Sequence, residues 1–284
     1  MITAKVICDS ISPSGVRLTT MELNYPRFIH SEFMTHRMFS RNASSSRAIP
    51  VKRMIKQVAE NPAMPIHWGK NQAGMQAREE IDHLNGTYLW EDSAQYVAEN
   101  CRIMADFGYH KQIVNRLLEP FQWIKVIVTA TEWDNFFKLR LHKDAQPEMM
   151  VLAEHMKKAM DESIPTELHP GEWHLPYISV DDCLKTTTDN FVKLSVARCA
   201  RVSYLNHDNS TPNIDKDIAL ADKLLEAGHM SPFEHQATPM PAIIYENKHP
   251  YDCDWVKGVT HQDRDSRYWS GNFRSWVMHR QLIG

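Results

Sequence analysis

Long apolar runs are absent from this sequence of 284 residues. None approaches the roughly 20 residues that a transmembrane helix needs, and the N-terminal residues lack the apolar segment of a signal peptide. The five cysteines are scattered along the chain and never stand in CxxC spacing, which argues against a disulfide framework or a zinc knuckle. We therefore expect a protein of the reducing cytoplasm, with no bound metal.

An excess of positive charge is also absent, because 32 Lys and Arg residues stand against 35 Asp and Glu residues and give a net charge of -3. This balance argues against nonspecific coating of nucleic acid, although it allows a local basic patch. Hydrophobic residues make up 43% and charged residues 24%, as in ordinary soluble enzymes. The length allows one large domain with a sizeable core.

Periodicity predicts a mixture of strands and helices. Alternating apolar residues predict a strand at 16–23, and a β-branched run predicts a buried strand at 123–129. Apolar residues at helical spacing predict helices at 90–106, 111–118, 147–160, 190–200 and 215–227. Prolines and a glycine make residues 164–180 a connecting loop. These elements indicate an α+β fold.

The first polar cluster, at residues 35–47, reads THRMFSRNASSSR. No acidic residue occurs between Glu32 and Glu60, whereas that stretch carries six Lys and Arg residues. Guanidinium groups beside hydroxyl and backbone donors suit a phosphate group, which arginine binds with two parallel hydrogen bonds. The alternative is a solvated basic loop. The charge of the segment alone favours this alternative, but a solvated loop does not need so many Ser and Asn residues.

Two further polar clusters follow. Residues 135–148 read NFFKLRLHKDAQPE and lead from a strand-like run into a helix. Their structural interpretation is an N-cap at Asp144 or Gln146 and a surface ion pair at Arg140. Residues 228–235 read GHMSPFEH. Because the spacing is not HExxH and Pro232 interrupts any helix, a polar turn facing a ligand is favoured over a metal site.

Taken together, these segments resemble the motifs of the flavin-dependent thymidylate synthases. Residues 35–47 resemble the family's RHR signature, in which Ser, Asn, Ser and Arg follow the triplet at fixed spacing. Residues 135–148 resemble the segment that carries the family's substrate-activating arginine. Further similarities are VNRLLEP at 114–120 to its AR-x-x-L-P helix end, ARVSY at 200–204 to its ARVS element, and residues 228–235 to its H-x-(S/T)-P-F-E-H element.

The order of these motifs is unusual, because the ARVS and H-x-(S/T)-P-F-E-H elements ordinarily precede the RHR signature and here follow every other motif. The resemblance therefore implies a circularly permuted, divergent member, which is physically reasonable because domain termini often lie close together. We expect residues 1–163 to carry the signature and the substrate arginine, 164–180 to connect, 181–240 to complete the same domain, and 241–284 to form an extension of unknown role. Residues 63–86 also have no counterpart.

Members of this family transfer a methylene group from methylenetetrahydrofolate to dUMP. They reduce it to the methyl group of dTMP with a hydride from FAD, which NADPH recharges. The resemblance implies this activity here, in a fold with a central antiparallel or mixed sheet flanked by helices. It also implies a homotetramer whose sites are shared between subunits, with small-molecule partners rather than nucleic acid or membrane.

The matched motifs imply roles for individual residues. For the flavin they imply His36, Arg37, Asn135, Asp144 (where the family usually has a histidine), Ser203, His229, Ser231 and Glu234. For dUMP they imply Glu32, Ser44, Ser45, Ser46, Arg47, Arg116 and Arg140. Arg140 would be catalytic, because it would hold the uracil carbonyl and stabilise negative charge that develops on the ring. Ser45 has no adjacent base and is interpreted as a binding residue rather than a nucleophile.

Several positions depart from the family's pattern. Thr35 replaces the first arginine of the triplet, Ala43 replaces the usual glutamate, and Glu32 stands where a glutamine is expected. Thr129 and Thr131 replace an Asn and an Arg. These departures keep two alternatives to methylation open. One is a hydroxymethylase, in which water captures the activated methylene to give hydroxymethyl-dUMP or -dCMP. The other is a non-catalytic relative that binds nucleotide or nucleic acid through the basic stretch 37–56.

Overall fold

Helices and short strands alternate along the chain in the computed structural model, which describes residues 1–202, 213–249 and 252–283. The strands are β1 (Thr3–Ile11), β2 (Arg17–Pro26), β3 (Ser40–Ala43), β4 (Trp123–Ala130), β5 (Thr166–Glu167), β6 (Ala237–Pro239), β7 (Tyr245–His249), β8 (Asp252–Trp255), β9 (His261–Gln262), β10 (Tyr268–Ser270), β11 (Phe273–Arg274) and β12 (Trp276–Met278). The helices are α1 (His30–Phe33), α2 (Val51–Glu60), α3 (His83–Asp106), α4 (Lys111–Leu117), α5 (Asp134–Arg140), α6 (Pro147–Asp161), α7 (Val180–Cys183), α8 (Thr188–Ala200), α9 (Ile214–Glu226) and α10 (Arg280–Ile283). Short 3-10 helices cover Arg27–Ile29, Glu119–Phe121 and Ser231–Glu234. Among the described residues, no helix combines the length and the apolar character that crossing a bilayer requires.

A mixed sheet with the strand order β3-β4-β2-β1-β5 is the framework of the fold. β1 and β2 form an antiparallel hairpin, whose turn places Gly15 in the left-handed region with φ of 77°. β4 pairs antiparallel with both β2 and β3, whereas β5 joins β1 in parallel. The fold is therefore α+β, with a mixed central sheet flanked by helices, as the sequence predicts.

The strongly patterned elements lie where the sequence predicts them. The strands predicted at 16–23 and 123–129 correspond to β2 and β4, and the five predicted helices correspond to α3, α4, α6, α8 and α9. α3 begins earlier than predicted, where the side chain of Asp82 accepts a hydrogen bond from the backbone N–H of Leu84 at 3.1 Å. The first residues of α3 are mostly exposed, so no apolar stripe marks them in the sequence.

The first half of the second polar cluster differs from the expectation. The predicted strand-like run is wrong at its end, because Asp134–Arg140 forms the helix α5. Phe136 and Phe137 are both buried in this short helix, and two adjacent bulky apolar residues match a buried strand equally well. Gln146 caps α6, since its side-chain oxygen accepts a hydrogen bond from the backbone N–H of Met149 at 2.8 Å.

The two faces of the sheet have different partners. One face is apolar, and its side chains from β2 and β4 pack against α5 and α6 in the largest core cluster. Alternation along the strands puts Thr20 and Thr129 on the opposite face, where the C-terminal half of the chain covers them. A fully buried Leu, Met or Phe stabilises the fold by about 1.5–3 kcal/mol, so the α5–α6 face supplies most of the apolar stabilisation of the sheet.

A chain of buried hydrogen bonds crosses the opposite face. The hydroxyl oxygen of Ser10 lies 2.9 Å from Nδ1 of His174, whose Nε2 lies 2.8 Å from the hydroxyl oxygen of Thr20. The hydroxyls of Thr20 and Thr129 are 2.8 Å apart, and that of Thr129 lies 2.8 Å from Nδ1 of His235. All five side chains are buried. Burial lowers the pKa of both histidines to about 3, so both rings are neutral at pH 7.

The C-terminal extension packs back onto the same sheet. β12 pairs with β6, and the indole N–H of Trp276 donates to the backbone oxygen of Val16 at 3.0 Å. The side-chain amide of Asn272 donates to the backbone oxygen of Met38 at 2.9 Å. Arg274 forms an ion pair with Glu132 at 2.6 Å. Residues 252–283 are thus tied both to the start of β2 and to the loop that carries the first motif.

We expect Thr129→Val to lower the free energy of unfolding by about 1–3 kcal/mol, because it leaves the buried Nδ1 of His235 without a partner and removes one of the two hydrogen bonds of the Thr20 hydroxyl. Urea denaturation measures the change. The matched control is Thr166→Val in β5, an exposed position where we expect less than about 0.5 kcal/mol. Equal stabilities of the two variants would show that the buried chain does not stabilise the fold.

Candidate functional site

Arg140 is held by a neutral histidine from the first motif. Arg140 is the last residue of α5, and its Nε–H donates to Nε2 of His36 at 2.9 Å. The ring of His36 is only 9% exposed and lies against Phe39 and Phe136. Burial, followed by the charges of Arg140 and Arg41, lowers the pKa of His36 to about 4. The ring is therefore neutral at pH 7, and its unprotonated Nε2 accepts the bond from Arg140.

Arg41 stabilises the loop that carries His36. One terminal nitrogen of Arg41 donates to the backbone oxygens of Met34 at 2.8 Å and His36 at 2.9 Å. These bonds fix the turn between α1 and β3, so that Arg41 acts within the protein. The sequence counts it among six cations of a candidate phosphate site, and the structure gives it this internal role instead.

A large cleft of 1020 Å³ opens beside Arg140. Its lining includes Glu32 and Asp144, two residues that the sequence predicts for the site, and the aromatic rings of Phe28 and Trp90. Within the described residues, no hydrogen-bond partner lies at the two terminal nitrogens of Arg140. A residue that is fixed at Nε and open at its terminal nitrogens can offer two parallel donors to a ligand in the cleft.

The unmatched segment 63–86 supplies the other wall of this cleft, through His67, Gly69 and residues 75–78. The backbone N–H of Ile66 donates to a carboxylate oxygen of Glu148 at 2.8 Å. Glu148 is only 3% exposed. The sequence predicts no role for this segment, and its Trp, Gly, Lys and Asn residues carried no motif that could be recognised.

The serine-rich loop after β3 is built by its own hydroxyls. Ser44 extends the pairing of β3 with β4, because its hydroxyl accepts the backbone N–H of Lys125 at 3.2 Å. Ser45 accepts the backbone N–H of Arg47 at 3.3 Å. Ser46 is buried and donates to the carboxylate of Glu119 at 3.1 Å. All three serines therefore have structural partners, whereas Arg47 is exposed at the surface.

Asn115 positions this loop, and the sequence did not single it out. Its side chain is fully buried and donates to the backbone oxygens of Ser46 at 2.7 Å and Ile49 at 2.9 Å. The next residue, Arg116, is exposed beside the loop. The sequence signal for this role is an asparagine at a position of α4 where the helical spacing predicts an apolar residue. A buried side-chain amide needs hydrogen-bond partners, and these have to come from outside the helix.

The third motif reaches the first one across the end of the sheet. Ser231 donates to the side-chain oxygen of Asn42 in β3 at 3.4 Å, across 189 positions of sequence. The amide of Asn42 in turn donates to the backbone oxygen of Cys199 in α8 at 2.8 Å. Glu234 forms an ion pair with Arg280 of the C-terminal extension. His229 is exposed on the same turn.

The arginine of the ARVS element is also structural. Arg201 forms an ion pair with Asp217 in α9, and Arg198 binds both carboxylate oxygens of Asp182 at 2.6 Å. Asp182, Arg198 and Arg201 line a second cavity of 470 Å³. Ser203, which the sequence predicts as a flavin contact, lies outside the described residues. Within the described ranges, no group of three or more His, Cys, Asp and Glu side chains could hold a metal ion.

The predicted site residues fall into two groups, one around the Arg140 cleft and one at the serine-rich loop. Arg37 and Asn135 are exposed on the segments next to Arg140. Arg47 and Arg116 are exposed at the serine-rich loop.

We expect the pKa of His36 to rise from about 4 towards 6.5 in Arg140→Gln, because the loss of a neighbouring positive charge favours the protonated ring. The pKa should stay below 6.5, since burial is the larger cause. NMR titration of the imidazole measures it. Arg102→Gln on α3, an exposed arginine paired with Glu99, is the control and should leave the pKa unchanged. An unchanged pKa in both variants would contradict the contact.

Comparison with known proteins identifies a family. The family described as thymidylate synthase complementing protein matches residues 16–166, more than half of the chain. The match ends before residues 200–235, so the permuted order of the motifs stays a prediction. No curated protein matches the sequence.

Similar solved structures include the UMP/dUMP methylase PolB from Streptomyces cacaoi, at 17% identity and a TM-score of 0.49, over 57% of this chain and 90% of that chain. Thymidylate synthase X from Helicobacter pylori, solved with FAD and dUMP, is similar at 17% identity and a TM-score of 0.36, over 50% of this chain and 67% of that chain. Since these identities are low, the assignment rests on the sequence match. By that match, the chain belongs to the thymidylate synthase complementing protein family, the flavin-dependent thymidylate synthases.

Proposed function

We propose that this protein is a flavin-dependent thymidylate synthase, which converts dUMP to dTMP with methylenetetrahydrofolate as the carbon donor and NADPH as the reductant. The observation that carries the proposal is the Arg140–His36 pair at the wall of a 1020 Å³ cleft. A cation fixed at one nitrogen and open at two others can stabilise the negative charge that develops at a pyrimidine carbonyl.

The proposed chemistry of Arg140 is electrostatic. Its terminal nitrogens would hold the uracil carbonyl and stabilise the negative charge that develops when the ring attacks the one-carbon unit. His36 would act as a positioning residue, because its neutral Nε2 fixes the direction of the guanidinium without adding a charge. Donors that are already in position do not have to reorganise during the reaction.

Polar groups at one end of β3 fit a flavin. Asn42 and Ser231 are hydrogen-bonded to each other there, and the exposed guanidinium of Arg37 supplies donors nearby. We propose that FAD is held by Arg37 together with the other residues of the matched motifs, namely His36, Asn135, Asp144, Ser203, His229, Ser231 and Glu234. Bound FAD would supply the hydride that completes the methyl group. The missing arginine at Thr35 leaves Arg37 as the cation of the triplet.

We propose that the phosphate of dUMP binds at the other group of residues. Arg47 and Arg116 are exposed guanidinium groups on a loop whose conformation Ser44, Ser45 and Ser46 fix. A rigid loop that carries two arginines suits a phosphate dianion. Glu32, which lines the Arg140 cleft, would face the base rather than the phosphate.

The shared site that the matched motifs imply would combine the two groups, with Arg140 at the cleft and Arg47 and Arg116 at the serine-rich loop. We propose a homotetramer in which each site combines residues of neighbouring subunits, in a closed symmetric assembly.

Hydroxymethylation is the second candidate function, and Glu32 is the observation that favours it. Its carboxylate lines the same cleft as Arg140, where the family's glutamine would carry no charge. A carboxylate beside the reacting carbon can activate water as a general base, and water capture of the activated methylene would give a hydroxymethylated dUMP or dCMP. A non-catalytic nucleic-acid-binding relative is disfavoured, because a basic patch alone would not need the Arg140–His36 pair at the wall of a cleft.

Mass spectrometry of the nucleotide tests these proposals, after incubation of the protein with FAD, NADPH, methylenetetrahydrofolate and dUMP or dCMP. Formation of dTMP supports the synthase. A hydroxymethylated nucleotide supports the second candidate. Absence of any product and of bound flavin, together with polynucleotide binding that weakens steeply with salt, would support the non-catalytic relative.

We expect Arg140→Ala to lower kcat by about 10²–10³-fold or more, because the group that stabilises developing charge is lost, while FAD affinity stays within about twofold. Steady-state kinetics and flavin titration measure the two effects. Lys138→Ala, which removes an exposed cation from the same helix, is the matched control and should retain full activity. Wild-type turnover in Arg140→Ala would remove the proposed mechanism.

We expect Arg47→Ala to raise the KM for dUMP about 10–100-fold with kcat little changed, because a phosphate contact contributes equally to ground and transition states. Lys52→Ala, an exposed cation in the same stretch, is the control. Mixing subunits of Arg47→Ala and Arg140→Ala should restore activity, since some mixed sites then contain both arginines. Failure of mixed tetramers to recover any activity would argue that each site lies within one subunit.

A further inference from the structure

The unmatched segment contains a preorganised loop at residues 66–81. Its two arms run antiparallel, with a bridge between Gly69 and Glu80. A Cβ at Gly69 would lie 2.2 Å from that of Ala77, so the close approach of the arms requires glycine. His67 joins the arms, because its ring lies 2.9 Å from the carboxylate of Glu80 and 2.6 Å from the backbone oxygen of Ala77.

The base of the 66–81 loop is anchored in the protein. The ring of Trp68 lies directly on Gly86 of α3, where a Cβ would come within 2.6 Å of it, and edge-to-face against Trp90. The backbone N–H of Ile66 is held by the buried carboxylate of Glu148. A loop with this many fixed contacts at its base presents its tip in a defined position.

The tip of the loop faces the Arg140 cleft, and its side chains make only weak or exposed contacts with the rest of the protein. Met75 is 98% exposed, although it lines the cleft. The side-chain amide of Gln76 makes a long hydrogen bond of 3.4 Å to the backbone oxygen of Asp144. Arg78 lies 3.5 Å from the carboxylate of Asp144 in an exposed ion pair. Such exposed contacts contribute little to stability, so a ligand can replace them.

We propose that the 66–81 loop recognises the pyrimidine base of the nucleotide in the Arg140 cleft, an inference that rests on the proposed function. Met75 covers the ring, since a flexible thioether packs well on a flat π-system. Gln76 hydrogen-bonds the edge of the ring. A side-chain amide has both donors and acceptors, so Gln76 accommodates the carbonyl of uracil or the amino group of cytosine. The base preference then depends on Gln76 as a specificity-determining residue.

Substitution of Gln76 in the FAD-loaded protein tests the proposal, with dUMP and dCMP binding measured by calorimetry. We expect Gln76→Ala to weaken dUMP binding about fivefold to tenfold. We expect Gln76→Glu to lower the ratio of dUMP to dCMP affinity by about tenfold or more, because a carboxylate only accepts and leaves the uracil carbonyl without a donor. Flavin affinity and Tm should not change in either variant.

The matched controls are Gln95→Ala and Gln95→Glu. Gln95 is an exposed glutamine of α3 whose amide also donates one hydrogen bond to a backbone oxygen, that of Ala59, but it does not line the cleft. These controls should bind both nucleotides like the wild type. Wild-type dUMP affinity and base preference in both Gln76 variants would overturn the inference, as would a loss of flavin binding instead of nucleotide binding. Failure of the wild-type protein to bind FAD and dUMP would instead overturn the proposed function.

Discussion

The buried chain from His174 through Thr20 and Thr129 to His235 is the constraint on which the rest of the structure depends. It is a fully buried polar connection between the N-terminal sheet and the C-terminal half, and it lies where water cannot compete for its groups. Each bond is modest on its own, but an unmade bond at this depth costs the desolvation of the group that loses it. The C-terminal half can therefore dock in one register only. That register brings the Ser231–Glu234 turn to the end of β3.

β3 organises the candidate site although it has only four residues. His36 lies before it, Asn42 lies within it and Ser44 follows it. One short edge strand thus fixes the residues beside the cleft, those that meet the third motif and those of the serine-rich loop.

The periodicity of apolar residues predicted the elements that bury one face, namely β2, β4, α6 and most of α3. It failed at Phe136 and Phe137, because two adjacent buried aromatic residues match a strand as well as a helix. It also failed at the start of α3, where the helix has no buried face. The motifs identified Arg140 and the serine-rich loop, but the sequence could not reveal their partners. The bonds of His36 to Arg140 and of Ser46 to Glu119 join distant segments, and no local pattern encodes them. His174 stood in a segment that resembled a simple connector.

The hydrogen bonds of the buried chain also couple the proton positions of its two histidines. Each threonine hydroxyl has one proton, so each donates once and accepts once along the chain. If His235 carries its proton on Nδ1, it donates to Thr129, and every later bond points the same way, which leaves His174 protonated on Nδ1. If His235 carries its proton on Nε2, every bond reverses and His174 is protonated on Nε2. The two imidazoles, which belong to different segments of the chain, therefore share a single tautomeric state across the sheet.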